Sequence, residues 1–350
     1  MKLLTIGTRK IGDGYPVFII CEAGVTNYGD IRLARKQIDA AVAAGADAVK
    51  FQLWRTENLV SQRVAKRLEQ KLGYNWFDRL KYKELSKGEI RSLSAYAKRK
   101  NILFFATPHD DESIEYLAQT VRVPVLKVGS GESHNYEFLK KIGATKKPVI
   151  ISFGMQSAGE IKKAIEVLRR AGAPIILPMH CVTMYPTPYE MTNLPRINAL
   201  RKLTRLPVGF SDHSVGYHAL LAAIALGACV VEKHLTFDKS DPRSLDNPGA
   251  LLPAEFKKFV LEARNVEQAL KNVSEKKFET ALSRSRRWAG QAIVAYRAIK
   301  AGERIRRTML AFKRPALGGI PSDMVEKVIG KRARRALPAD EQITFRDIIG

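Results

Sequence analysis

Two histidines stand in matched surroundings, His213 in GFSDHS and His234 in EKHLT, each just past an apolar strand-like run. At the carboxyl ends of adjacent parallel strands they would face one space. A pair of imidazoles there can hold a divalent metal and leave positions open for water and substrate. Other apolar runs also end in groups able to do chemistry. In chain order these are Glu22, Lys50 with Gln52, Thr107, Lys127 with Ser130 and Glu132, Ser152, Thr183 with Tyr185, and Ser211. Lys50 and Lys127 are the informative pair, because ammonium groups near a barrel axis are costly to desolvate unless they meet anions. Hydroxyls of Thr107, Ser130, Ser152 and Ser211 could complete a cradle for phosphate and carboxylate. The residues alone therefore point to a small, multiply anionic substrate beside a metal on two histidines.

The elements that would position these groups follow from periodicity. Strand-like runs occur at 17–21, 48–51, 102–106, 125–128, 149–152, 175–177, 208–210 and 229–232. Helix patterns with start signals lie between them. Asp30 can cap a helix that stops at Gly45. Ser86 to Glu89 and Ser157 to Glu160 read as capping boxes, and Pro253 suits the first turn of a helix reaching about Leu270. Eight strands alternating with helices over about 270 residues predict an α/β fold, a (β/α)8 TIM barrel, whose active site gathers at the strand carboxyl ends. A doubly wound sheet would need a glycine-rich phosphate loop after its first strand, and CEAGVTNY lacks that spacing. The connection Leu53–Leu85 is long, basic and aromatic, and is expected to be either a lid over the mouth or a cover for the rim.

The predicted domains are a barrel over 1–272, a polar linker over 273–287, and a small β-rich module over 288–350 that is too small to be an enzyme alone. The chain of 350 residues is 45% hydrophobic and 27% charged, as in soluble globular proteins. Its formal charge of +24 raises the question of nucleic acid or an anionic membrane. The basic residues are spread along the whole chain, however, without a recognition helix or a basic arm, so neither partner is expected. No apolar run approaches a membrane span, and no signal-peptide core follows Met1. Three separated cysteines in apolar contexts predict reduced thiols and a cytoplasmic location.

IICEAG, VKFQ, ATP, LKVGSGE, ISFGM, HCVTMYPTPYE, GFSDHS and EKHLT, in that order, resemble the sialic acid synthase (N-acetylneuraminate synthase) family. The tail KAGERIRRTMLAFKRPALGGIPSDMVEKVIGKRA is similar to that family's C-terminal antifreeze-like (SAF) domain. The resemblance implies a transferase that condenses phosphoenolpyruvate (PEP) with an N-acetylated hexosamine such as N-acetylmannosamine, giving a nine-carbon 2-keto acid and phosphate. It implies a metal, Mn²⁺ before Mg²⁺ or Co²⁺, on His213 and His234. PEP would meet Lys50, Thr107, Lys127, Ser130, Ser152, Thr183, Ser211 and the tail's Arg314. The sugar would meet Glu22, Gln52, Tyr185 and Asp246. Glu22 and Glu132 are the carboxylates expected to handle protons. The family's domain-swapped homodimer would put Arg314 over the partner's barrel mouth.

Thr183 stands where some members carry Asn or Ser. Asp238–Leu252 lacks the family's usual Gly-Pro-Asp-His-like run, so the aminosugar stays open. Legionaminic or pseudaminic acid synthases and a 9-phosphate-forming enzyme are alternatives within the chemistry. A carbohydrate-binding protein without catalysis is the alternative outside it, and it would have no use for both histidines and both lysines.

Overall fold

The computed structural model describes residues 4–12 and 14–350. Contacts divide the chain into two compact units, Met1–Leu270 and Lys271–Gly350. A short antiparallel hairpin, β1 (Leu4–Ile6) and β2 (Arg9–Ile11), precedes the first unit's barrel. The barrel strands are β3 (Phe18–Gly24), β4 (Ala48–Leu53), β5 (Leu103–Pro108), β6 (Leu126–Val128), β7 (Val149–Phe153), β8 (Ile176–Cys181), β9 (Gly209–Asp212) and β10 (Val230–His234). They pair in parallel, each with its neighbour in sequence, and β10 closes on β3. All eight expected strands are present, and the fold is the predicted (β/α)8 barrel.

Local chemistry explains the regularity. Every residue of β3 is buried, as expected where one face lines the barrel and the other meets helices. The Asp30 side chain accepts from the Arg32 N–H to start the helix Ile31–Ala44, and Gly45 ends it in the left-handed region at φ 79°. Both capping boxes form, Ser86 with Glu89 and Ser157 with Glu160. The long connection is not one irregular loop. It folds into the short helices Thr56–Leu59, Gln62–Leu72 and Trp76–Lys81, the last two capped by Ser61 and Asn75.

Asp47, at the base of the barrel beside β4, ties the ring together. Its carboxylate accepts from the Ile19 N–H at 2.9 Å and from Arg264 at 2.8 Å, and it also pairs with Arg9. Arg264 lies on the helix Pro253–Ala269 and donates to the Val17 carbonyl at 2.8 Å. Asp47→Ala should leave the Ile19 N–H without its partner and the Arg264 guanidinium with only Glu267 of its two carboxylates. The expected loss is about 3 kcal/mol of unfolding free energy, read as a lower urea midpoint with the slope unchanged.

In the second unit the segment expected as a linker is the helix Glu275–Ala289, none of whose residues is buried. Its polar composition reflects a solvated helix. Beyond it β11 (Ala292–Ala295) pairs with β12 (Leu310–Lys313), and β13 (Arg332–Ala333) with β14 (Ile348–Ile349). These short pairs enclose a separate core that includes Ile293, Ile305, Met309 and Ile343.

Candidate active site

The barrel strands alternate side chains in and out, and their carboxyl ends place the predicted residues around one cavity of about 400 Å³. All of them line it except Arg314, which belongs to the other unit. In β9 and β10 the alternation sorts each cluster. Ser211, His213, Glu232 and His234 face the mouth. Asp212 and Lys233, the residues between, pair behind it at 2.6 Å, fully buried, and Lys233 also donates to the Ser214 carbonyl at 2.5 Å. That ion pair fixes the strand ends carrying the histidines.

On the floor of the mouth the two lysines already have carboxylates. The Lys50 ammonium lies 2.9 Å from Glu22 Oε2 and 3.5 Å from Glu232 Oε1, and donates to Thr107 Oγ1 at 3.1 Å. Lys127 donates to Ser152 Oγ at 2.6 Å and sits 4.0 Å from Glu232. Ser211 donates to the same Glu232 oxygen at 3.0 Å. Glu232 was thus missing from the expected site, although it is the shared counter-ion of both lysines. Burial raises Glu22, with Glu232 adding to the rise and Lys50 opposing it, so Glu22 is pushed up to about 7. Burial would raise Glu232 too, but Lys127 and Lys50 outweigh it and hold it at about 2. Lys50 is raised because its two carboxylates outweigh its desolvation. Lys127 is lowered, chiefly by burial.

Ser130 and Thr183 meet over the backbone of Gly154. Ser130 Oγ accepts from the Gly154 N–H at 2.9 Å. A Cβ at Gly154 would stand 2.3 Å from Thr183 Oγ1, so this position is closed to any side chain. The Thr183 hydroxyl is buried without a partner, as is the second oxygen of Glu132. Glu132 accepts from His109 Nδ1 at 2.8 Å. Burial would raise its carboxyl, but the adjacent His109 outweighs this and the net shift is downward. Gln52 bridges the two candidate acids. Its amide nitrogen donates to Glu22 at 2.8 Å, and its oxygen lies 3.3 Å from His109 Nε2. His109 follows the ATP run directly, and nothing in its local sequence marked it.

The histidines fit metal ligation. His213 Nδ1 donates to the Val182 carbonyl at 2.9 Å, which leaves Nε2 with a free lone pair. His234 Nδ1 is buried with no hydrogen-bond partner, and burial lowers its basicity so that the ring stays neutral. The ring centroids are 5.5 Å apart, Tyr185 packs 4.3 Å from His213, and Asp246 Oδ2 lies 3.8 Å from His234 Nδ1. Among the described residues no group of three or more His, Cys, Asp or Glu is placed to hold a metal, so the mouth offers two imidazoles rather than a complete protein ligand set.

The long connection supplies a wall. Trp76, Arg79, Leu80 and Lys83 line the cavity opposite Ser244, Leu245 and Asp246. It is braced on that facing loop, where Arg79 donates to the Pro242 carbonyl at 2.7 Å and the Tyr82 hydroxyl to that of Arg243 at 3.4 Å.

Comparison with known proteins places this geometry. Residues 37–275 match the NeuB family model, and residues 290–349 match the SAF domain. The chain is 38% identical to the N,N'-diacetyllegionaminic acid synthase of Campylobacter jejuni, over 93% of this chain and 98% of that protein. It is 31% identical to the N-acetylneuraminate-9-phosphate synthase of Homo sapiens, over 96% and 93%. Among solved structures it resembles the N-acetylneuraminic acid synthetase of Leptospira borgpetersenii, solved with citrate. The TM-score is 0.70 at 33% identity, over 81% of this chain and 96% of that one. On this coverage the chain belongs to the NeuB family and carries a SAF domain at its end.

Proposed function

We propose that the protein is a metal-dependent transferase that condenses PEP with an N-acetylated hexosamine of the N-acetylmannosamine type. The products are a nonulosonate, N-acetylneuraminate or a close relative, and phosphate. The observation that carries this reading is the floor of the mouth, where two buried ammonium groups and a set of hydroxyls stand beside two metal-competent imidazoles. The lysines are partnered by carboxylates and hydroxyls that hold their positions, so the site is organised before substrate arrives.

Lys50 and Lys127 offset the charge of PEP, and Thr107, Ser130, Ser152, Thr183 and Ser211 orient its oxygens. Glu22, Gln52, Tyr185 and Asp246 receive the sugar. His213 and His234 would hold Mn²⁺, or Mg²⁺ or Co²⁺ in its place, which supplies Lewis acidity toward the aldehyde. Confining both substrates in one cavity removes much of the entropic barrier to joining them. PEP C3 bonds to the aldehyde carbon, and Glu22, pushed up to about 7 chiefly by burial, can give the proton that the new hydroxyl needs. Water adds to C2, and Glu132, kept ionised beside His109, can take its proton. The C2–O bond to phosphate then breaks. Each Arg314 would act on the mouth of a partner subunit in a homodimer.

The test is phosphate release from PEP across N-acetylated hexosamines. Bridging ¹⁸O in PEP should appear in the released phosphate, and label retained in the keto acid would exclude addition of water at C2.

A further inference from the structure

PEP and an aldehyde leave one cation of the mouth without a role. Lys83 is 4% exposed and lines the cavity, yet its ammonium has no hydrogen-bond or ion-pair partner among the described residues. It lies 5.7 Å from the centroid of the Tyr82 ring. The nearby carboxylates are engaged elsewhere. Asp241 makes a two-oxygen pair with Arg243, Glu84 accepts from the Thr56 N–H and from Lys81, and Asp246 accepts from Ser244. Burial lowers Lys83 to about 8, with Asp246 opposing, which leaves it charged at neutral pH. Arg79, four residues earlier, lines the same wall. One of its nitrogens donates to the Pro242 carbonyl and its plane stacks 4.6 Å over Tyr74, which leaves further N–H donors.

An ammonium held largely out of water is costly without a counter-anion, and none of the described residues pairs with it directly. The charge of PEP is met on the floor by Lys50 and Lys127. Lys83 and Arg79 belong instead to the wall facing Ser244 and Asp246, the side assigned to the acceptor. We propose that Lys83, assisted by Arg79, receives an acidic substituent of the acceptor sugar, a phosphate monoester or a carboxylate remote from the aldehyde. Lysine binds such a group as a point charge, and arginine adds a directional fork. This assignment rests on the condensation reading above.

The experiment compares N-acetylmannosamine, its 6-phosphate and its 6-carboxylate as acceptors for wild type, Lys83→Met, Lys83→Arg and Arg79→Gln, with folding checked by thermal melts. Wild type should prefer one acidic acceptor by at least about tenfold in kcat/KM, and the two acids identify which group is bound. Lys83→Met should lose about 10- to 100-fold for that acceptor, with KM for PEP unchanged and Lys83→Arg largely rescuing it. Equal or better use of the neutral sugar by wild type overturns the proposal. So does a Lys83→Met defect that is the same for all three acceptors. If no acceptor releases phosphate, the condensation reading fails on its own. Calorimetric binding of the three sugars then decides Lys83, because an acidic sugar held no tighter by wild type than by Lys83→Met removes its role.

Discussion

With divalent ions stripped by a chelator, phosphate release from PEP should fall to background, and Mn²⁺ should restore it. The expectation follows from how few donors the protein offers. Each imidazole presents a lone pair for a physical reason. His213 spends its Nδ1 proton on the Val182 carbonyl, and His234 is kept neutral by burial. With two protein ligands, losing one removes half the set, whereas loss of a mere outer partner of a metal ligand typically costs 10- to 100-fold. His213→Ala should therefore weaken metal binding by on the order of 100-fold or more, measured as metal content after dialysis, with PEP binding much less affected. Full activity in excess chelator, with metal shown to be absent, would end the two-histidine assignment.

The second large effect concerns sharing of the site between two chains. Arg314 is exposed just past β12 and has no hydrogen-bond or ion-pair partner among the described residues. The same unit begins with the helix Glu275–Ala289, about 22 Å long. Its exposed Phe278, Leu282 and Trp288 are suited to contact with another surface. Removing a guanidinium from a desolvated anion costs about 2–5 kcal/mol, or roughly 30- to several-thousand-fold in rate. Arg314→Ala and Lys127→Ala should each be severely impaired as homodimers. Mixed under subunit exchange, they should regain up to about a quarter of wild-type activity, because half of the dimers are then mixed and each of those has one intact mouth. Absence of recovery despite proven exchange would confine Arg314 to its own barrel or place it outside the site.

The strands and the fold were legible because apolar runs recur with helical patterns between them, and the polar residues ending those runs marked the mouth. What one dimension hides is who meets whom across the ring. Glu232 read as the neighbour of His234, yet its role is set by Lys50 on β4 and Lys127 on β6. Lys83 read as one more charge in a basic, aromatic stretch, and only the fold of the long connection buries it. His109 gains meaning from Glu132 and Gln52, far from it in sequence. The helix Glu275–Ala289 reads as a linker because charged and polar residues dominate it, and its few large apolar side chains, Phe278, Leu282 and Trp288, stay exposed.

The strand that brings Glu232 and His234 into the mouth is also the one that closes the barrel, pairing with β9 on one side and β3 on the other. During synthesis, a chain ending before Val230 has two bare sheet edges and no second imidazole. Until β10 docks, those edges are open to mispairing. Assembly of the catalytic centre and sealing of the sheet are therefore one event. A nascent or truncated chain lacks the second imidazole of the mouth for as long as it remains sticky.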